Sequence, residues 1–168
     1  MEIGKFYSFK IKGWQGNIYG VVCALGPVWI LVKVIVDDFR YDGFAIIQMK
    51  HIKEWIYDEK VAFREQVLRT KGIMDIPFPT VPLDSPNAPF SWFVQQKEIV
   101  FFIPKDESEA FMGKIIEVTK KKIDLHPVFA DGTWNIDIWD FFINDIVVVE
   151  WQSHYIRSLM KYSRTICS

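Results

Sequence analysis

Residues 42–56, DGFAIIQMKHIKEWI, hold a turn, an apolar run, the three residues Met49-Lys50-His51 and a second apolar run. Two short apolar runs so close together read as a β-hairpin. Upstream, the 16-residue stretch VVCALGPVWILVKVIV at 21–36 is broken in its middle by Gly26-Pro27, and reads as two strands joined by a tight turn. KFYSFKIKG at 5–13 supplies a leading strand. DEKVAFREQVLRTKG at 58–72 comes next as a helix, with Asp58 placed to cap its first turn and Gly72 to end it.

The pattern then stops. IPFPTVPLDSPNAPF at 76–90 contains Pro77, Pro79, Pro82, Pro86 and Pro89, whose missing amide donors exclude helix and central strand alike. A linker over 73–90 therefore divides the chain nearly in half, and the second half echoes the first. EIVFFIP matches the leading strand, GKIIEVTKKKIDLHPV from Gly113 matches GVVCALGPVWILVKV from Gly20, and DGTWNIDIWDFFINDIVVVEW at 131–151 again opens on Asp-Gly. It alternates through Trp134, Ile136 and Ile138, turns near Asn144-Asp145 and runs on to Val149. SHYIRSLMKYS closes the second half as a helix capped by Ser153. The apparent offsets are 93 residues from Gly20 to Gly113 and 89 from Gly43 to Gly132, a difference assigned to loop length. Each half reads as five strands and a helix.

Five short alternating strands cannot form a sandwich of useful size, whereas a small barrel closes its edges around one compact core. Gly20 and Gly113 fall in the second strand of each half, where such a barrel bends sharply. The expected fold is mainly β: two tandem SH3-like or Sm-like five-stranded small barrels, each followed by a short helix, over residues 1–72 and 91–168. Gly-x-Val at Gly20 and Gly-x-Ile at Gly113, with Ile47, Ile52 and Ile56 across the last two strands, resemble an uncharacterised bacterial family of tandem Sm-like or SH3-like barrels. That resemblance implies a fold and no activity. Sm proteins that bind RNA carry Asp-x-x-Met-Asn in strand three and an Arg-Gly turn before strand five. The matching places here read PVWILVKV and Gln48-Met49, then KKIDLHPV and Asn144-Asp145, so neither RNA-reading motif is present.

Composition narrows the functional class. Lys plus Arg is 20 against 21 for Asp plus Glu, with 11 basic and 10 acidic residues in 1–84 and 9 and 11 in the remainder, so charge alone makes neither half a polyanion binder. The N-terminus lacks the order of a secretory signal, and the longest apolar run is too short to span a membrane. Cys23 and Cys167 lie in no metal or redox spacing, which fits a reducing cytoplasm, no disulfide between them and no bound metal. His51, His126 and His154 are isolated, and no Gly-x-Ser-x-Gly elbow or glycine-rich phosphate loop occurs. Asp131, Asp137, Asp140 and Asp145 fall in turns or on the polar side of a strand and read as solvated surface.

Aromatic residues are in excess, at 16% of the chain. Most belong in cores, but Trp14, in the first turn, and Trp92, at the end of the linker, fall where a small barrel has no interior, and are candidates for gripping a peptide or stacking a base. Lys120, Lys121 and Lys122 form a basic run in a turn that can touch phosphate, although three turn lysines are ordinarily solvated. The expected function is that of a non-catalytic cytoplasmic binding or interaction protein whose partner is another protein. The alternative is a nucleic-acid-binding regulator of the Sm-like type. No catalytic residue, cofactor or metal is assigned.

Overall fold

The computed structural model describes residues 1–105 and 109–166, so Cys167 lies outside the described residues. The strands are β1 (Phe6–Ile11), β2 (Asn17–Leu25), β3 (Trp29–Val36), β4 (Arg40–Gln48), β5 (Ile52–Ile56), β6 (Ile99–Pro104), β7 (Phe111–Val118), β8 (Lys122–Pro127), β9 (Trp139–Phe142) and β10 (Ile146–Trp151). The helices are α1 (Glu59–Thr70), α2 (Ala88–Gln96) and α3 (His154–Ile166). All ten strands belong to one open antiparallel sheet in the order β5-β1-β2-β3-β4-β10-β6-β7-β8-β9. The mainly β expectation holds. Where two tandem small barrels were expected, a single open sheet is seen: the halves abut along β4 and β10, where Phe44 faces Trp151, Ala45 faces Glu150, Ile46 faces Val149 and Ile47 faces Val148.

The strands of the two halves do not interleave, and the strand order of the first half is repeated in the second. Register carries the repetition down to single residues. Tyr7 pairs with Gly20 as Val100 pairs with Gly113, and Val22 with Val32 as Ile115 with Leu125, so these positions are all 93 apart. Ile30 pairs with Ile47 as Ile123 with Phe141, and Phe9 with Trp55 as Phe102 with Val149, which places the last two strands 94 apart. Even the irregularities recur: β2 and β7 bulge immediately after Val22 and Ile115. The 89-residue offset from Gly43 to Gly132 is a false match, because Gly132 lies in a turn ahead of β9 and the true counterpart of Gly43 is Asp137. Nor is 134–138 a strand; a lone bridge joins Trp134 to Val128, and Ile136 stands 95% exposed.

The stretch at 42–56 is not a hairpin. β4 pairs with β3 and β10, whereas β5 pairs with β1, at the far side of the half. Met49–His51 forms a 3-10 turn flanked by extended residues, Gln48 at φ −73° and Ile52 at φ −71°. Two-residue hairpin loops and the common three-residue ones need a left-handed residue, and neither this turn nor its counterpart Ile143–Asp145 contains one. The chain is carried across the end of the sheet instead of being returned alongside.

Each half buries both faces of its sheet. In the first, Tyr7, Phe9, Val22, Val32, Ala45 and Ile47 cluster on one face, and Phe6, Val21 and Ile35 on the other pack against Val61 and Leu68 of α1. In the second, Val100, Phe102, Ile115, Ile123 and Leu125 form the matching inner face, and Met112 and Val128 meet Ile156 of α3. Both helices are capped as expected: the Asp58 carboxylate accepts from Val61 N, Gly72 is left-handed at φ 70°, and Ser153 Oγ accepts from Ile156 N. The proline-rich segment contradicts the sequence reading in part, since α2 begins within it. Pro89 occupies the first turn of that helix, where its missing amide donor goes unused. Val81, Leu83, Phe90 and Phe93 join the inner core of the second half, so the segment is a packed strap.

The glycines of β2 and β7 leave no room for a side chain. A Cβ at Gly113 would lie 2.2 Å from His126 O, and one at Gly20 would lie 2.9 Å from Lys33 O. Gly13, left-handed at φ +83°, has nothing within 4 Å of the same atom. Gly113→Ala is expected to cost about 3 kcal/mol by overpacking, and Gly13→Ala about 1 kcal/mol through backbone conformation alone. Urea denaturation of the two variants measures the difference; equal losses would contradict the close strand crossing at Gly113.

Candidate functional site

The candidate residues separate on folding. Trp14 comes just after β1 and packs, half-buried, against the inner core of the first half, with its indole nitrogen buried and unpartnered among the described residues. Trp92 lies on α2, its ring 5.3 Å from Phe93 and 5.9 Å from Trp151, so it braces the core instead of projecting from a loop. Neither is the free aromatic expected. Lys120 and Lys121 are exposed in the β7–β8 turn, beside a shallow cleft lined by Pro86, Phe142 and Asn144. Lys122 is already engaged: its Nζ lies 2.6 Å from Asp140 Oδ2 and 4.5 Å from the centre of the Phe142 ring.

Folding also gathers lysines that the sequence scatters. Because β4 and β10 run antiparallel side by side, the two 3-10 turns meet at one end of the sheet. Lys50 Nζ donates to Asn144 O at 3.0 Å and also to Asn144 Oδ1. Lys12 Nζ donates to Lys50 O at 2.5 Å, and Lys105 Nζ pairs with Asp145 at 2.5 Å. Burial holds the His51 imidazole below its ordinary pKa, and Lys50, Lys105 and Lys12 add to that, against a backbone contact from Asn144 that works the other way. Most of these ammonium groups are committed to carbonyl or carboxylate oxygens.

The open edges carry the larger unsatisfied surface. Among the described residues every other strand is paired on both sides, but β5 has a neighbour only in β1 and β9 only in β8. Each presents a row of backbone N–H and C=O groups to whatever approaches. Each edge carries exposed large apolar side chains: Trp55 at 46% and Tyr57 at 45% on and just after β5, and Ile138 at 46% and Phe142 at 52% just before and on β9. The positions equivalent to Tyr57 and Ile138 are Trp151 and Phe44, which meet across the β4–β10 seam and are 0% and 4% exposed. An alternating strand looks the same in sequence whether its outward residues face water or a partner, so only the strand order identifies these edges.

Chemistry of other kinds is sparse. Cys23 is buried, and desolvation pushes its thiol up to about 11, away from a reactive thiolate. Lys33 is buried with its Nζ donating to Met74 O at 2.6 Å. Among the described residues, no three His, Cys, Asp or Glu side chains are placed to hold a metal ion, and no helix is long and apolar enough to cross a membrane. Asp140 and Asp145 pair with lysines and Asp131 accepts from Thr133. Comparison with family models, curated proteins and solved structures finds no match to this chain.

One ionisable group sits on the seam itself. Glu150 faces a cleft lined by Asn17, Tyr19, Val34 and Asp37, and burial, helped by Asp42, pushes its carboxyl up to about 7. The folded chain thus holds this proton more tightly than the unfolded chain, so stability is greatest below the unfolded value of 4.5 and declines as pH rises from there through about 7. Glu150→Gln is expected to leave stability at pH 4 unchanged and to raise it at pH 8 by on the order of 1 kcal/mol. Denaturation curves at the two pH values check this; an equal effect at both would show that the carboxyl ionises freely.

Proposed function

We propose that the protein is a non-catalytic cytoplasmic binding protein that takes another polypeptide by adding its extended backbone to an open sheet edge. The observation that carries this reading is the coincidence of two unpaired edge strands with exposed Trp55, Tyr57, Ile138 and Phe142. Strand addition supplies affinity through main-chain hydrogen bonds and specificity through alternate side chains. The five-strand order repeated in the two halves, each with an inner apolar face and an outer helix, supports taking each half as an SH3-like or Sm-like barrel opened on one side. A buried, unpaired Cys23 suits a reducing compartment.

The second reading, nucleic-acid binding, draws on the lysines around Asn144, to which Lys120 and Lys121 bring ammonium groups with no partner among the described residues. Affinity for nucleic acid requires several lysines free to displace counterions, and Lys50, Lys105 and Lys122 are engaged within the protein.

Selection of displayed random peptides on the immobilised protein tests the first reading. Peptides with alternating apolar residues are expected, and on binding they slow amide exchange in β5 or β9. Binders that protect neither edge would contradict strand addition. For the second reading, single-stranded RNA is expected to bind with a dissociation constant of about 10⁻⁵ M or weaker at physiological salt. Submicromolar binding in fluorescence anisotropy that falls steeply with salt, and is lost on changing Lys120, Lys121 and Lys122 to Glu, would overturn the protein-partner reading.

A further inference from the structure

We propose that the polypeptide taken at these edges is a second copy of this chain, its β9 docking on the β5 of the first in the register of the internal seam; this rests on the strand-addition reading above. The template is within the molecule. β4 and β9 hold the same place in their halves, as do β5 and β10, and the chain already joins β4 to β10. The two unpaired edges are therefore the remaining halves of the same junction.

Carrying the register over by 94 residues fixes the contacts. Phe44 opposite Trp151 becomes Ile138 opposite Tyr57, Ala45 opposite Glu150 becomes Trp139 opposite Ile56, and Ile46 opposite Val149 becomes Asp140 opposite Trp55. Tyr57 and Trp55 fall on one face of the new pair with Ile138 and, diagonally across from Trp55, Phe142. All four exposed apolar side chains of the two edges thus meet on one side. Lys53, on the same face as Trp55, comes diagonal to Asp140, an opposite-charge pair.

The new junction is more polar than the seam it copies. Glu54 and Asp140 stand where the seam has Val148 and Ile46, and they are tied to Lys10 at 3.0 Å and Lys122 at 2.6 Å in the free chain. The association is therefore reversible and concentration-dependent, where the seam is permanent. Since β5 and β9 are different surfaces, the contact is head to tail, and repeated additions give a closed ring or an open filament according to the rotation each copy adds.

Light scattering coupled to size exclusion tests the proposal on the full chain. The expected result is a mass that rises with concentration through multiples of 19.8 kDa. Trp55→Glu and Phe142→Glu each block one edge at an exposed position, so each variant alone is expected to stay monomeric and an equimolar mixture of the two to stop at the dimer, with circular dichroism checking that each remains folded. In a Cys167→Ser background, an equimolar mixture of Trp55→Cys and Asp140→Cys chains is expected to form a disulfide-linked dimer, whereas Trp55→Cys alone is not. A monomer at every concentration, or a Trp55→Cys homodimer that betrays a two-fold β5–β5 contact, would overturn the proposal. A monomer in which selected peptides still protect β5 or β9 from amide exchange would remove the second copy as partner and leave strand addition standing.

Discussion

The pairing of β4 with β10 is the constraint on which the rest of the molecule depends. It joins the two halves into one sheet, buries Phe44 against Trp151 with ring centres 5.6 Å apart, and turns the outer face of β3 and β4 into a wall of the second core. Trp29, Leu31, Phe44 and Ile46 from the first half thus share a cluster with Phe102, Leu125, Val149 and Trp151 from the second. Burying a side chain of this size contributes about 1.5–3 kcal/mol, so the halves stabilise one another through several such residues. The pairing is possible only because β4 does not fold back on β5. A left-handed residue at Lys50 or Asn144 would have favoured two hairpins, each occupying an edge now shared or left open.

The proline-rich segment also serves the seam. Its prolines keep it out of the sheet, as their missing donors require, yet Val81 and Leu83 are buried and a Cβ on Gly26 would lie 2.5 Å from Leu83. Trp29 Nε1 donates to Pro86 O at 3.2 Å, and Trp29 meets Phe90 edge-on with centroids 5.6 Å apart. The strap therefore runs from α1 across the junction and ends in α2. It holds the two halves by side chains where β4 and β10 hold them by backbone.

Much of this is legible in sequence. Gly26-Pro27 separates β2 from β3, and Asp58 and Ser153 mark helix starts, because these act through local backbone geometry, while Gly20 and Gly113 mark the equivalent strands because the neighbouring strand passes too close for a side chain. What escapes is non-local. Strand pairing is decided by which edges meet, and apolar runs such as 44–48 and 52–56 give the same pattern whether they pair with one another or with strands far away. Asp131-Gly132 imitates Asp42-Gly43 closely enough to suggest a wrong offset, and only the register resolves it. Trp14 and Trp92 look free in sequence because a turn and a linker have no interior of their own; both rest on cores built from distant residues. The surface that matters for binding is invisible for the same reason, since an edge is a property of strand order.

Amide hydrogen exchange across β4 tests the joined sheet most directly. A strand paired on both sides protects nearly all its amides, whereas an edge strand leaves alternate ones open to solvent. Phe44, Ala45, Ile46 and Ile47, together with Val148 to Trp151, are expected to exchange as slowly as the central residues of β3. Alternate fast and slow amides along β4, with Trp151 equally unprotected, would show that the halves are separate bodies and that the seam does not form.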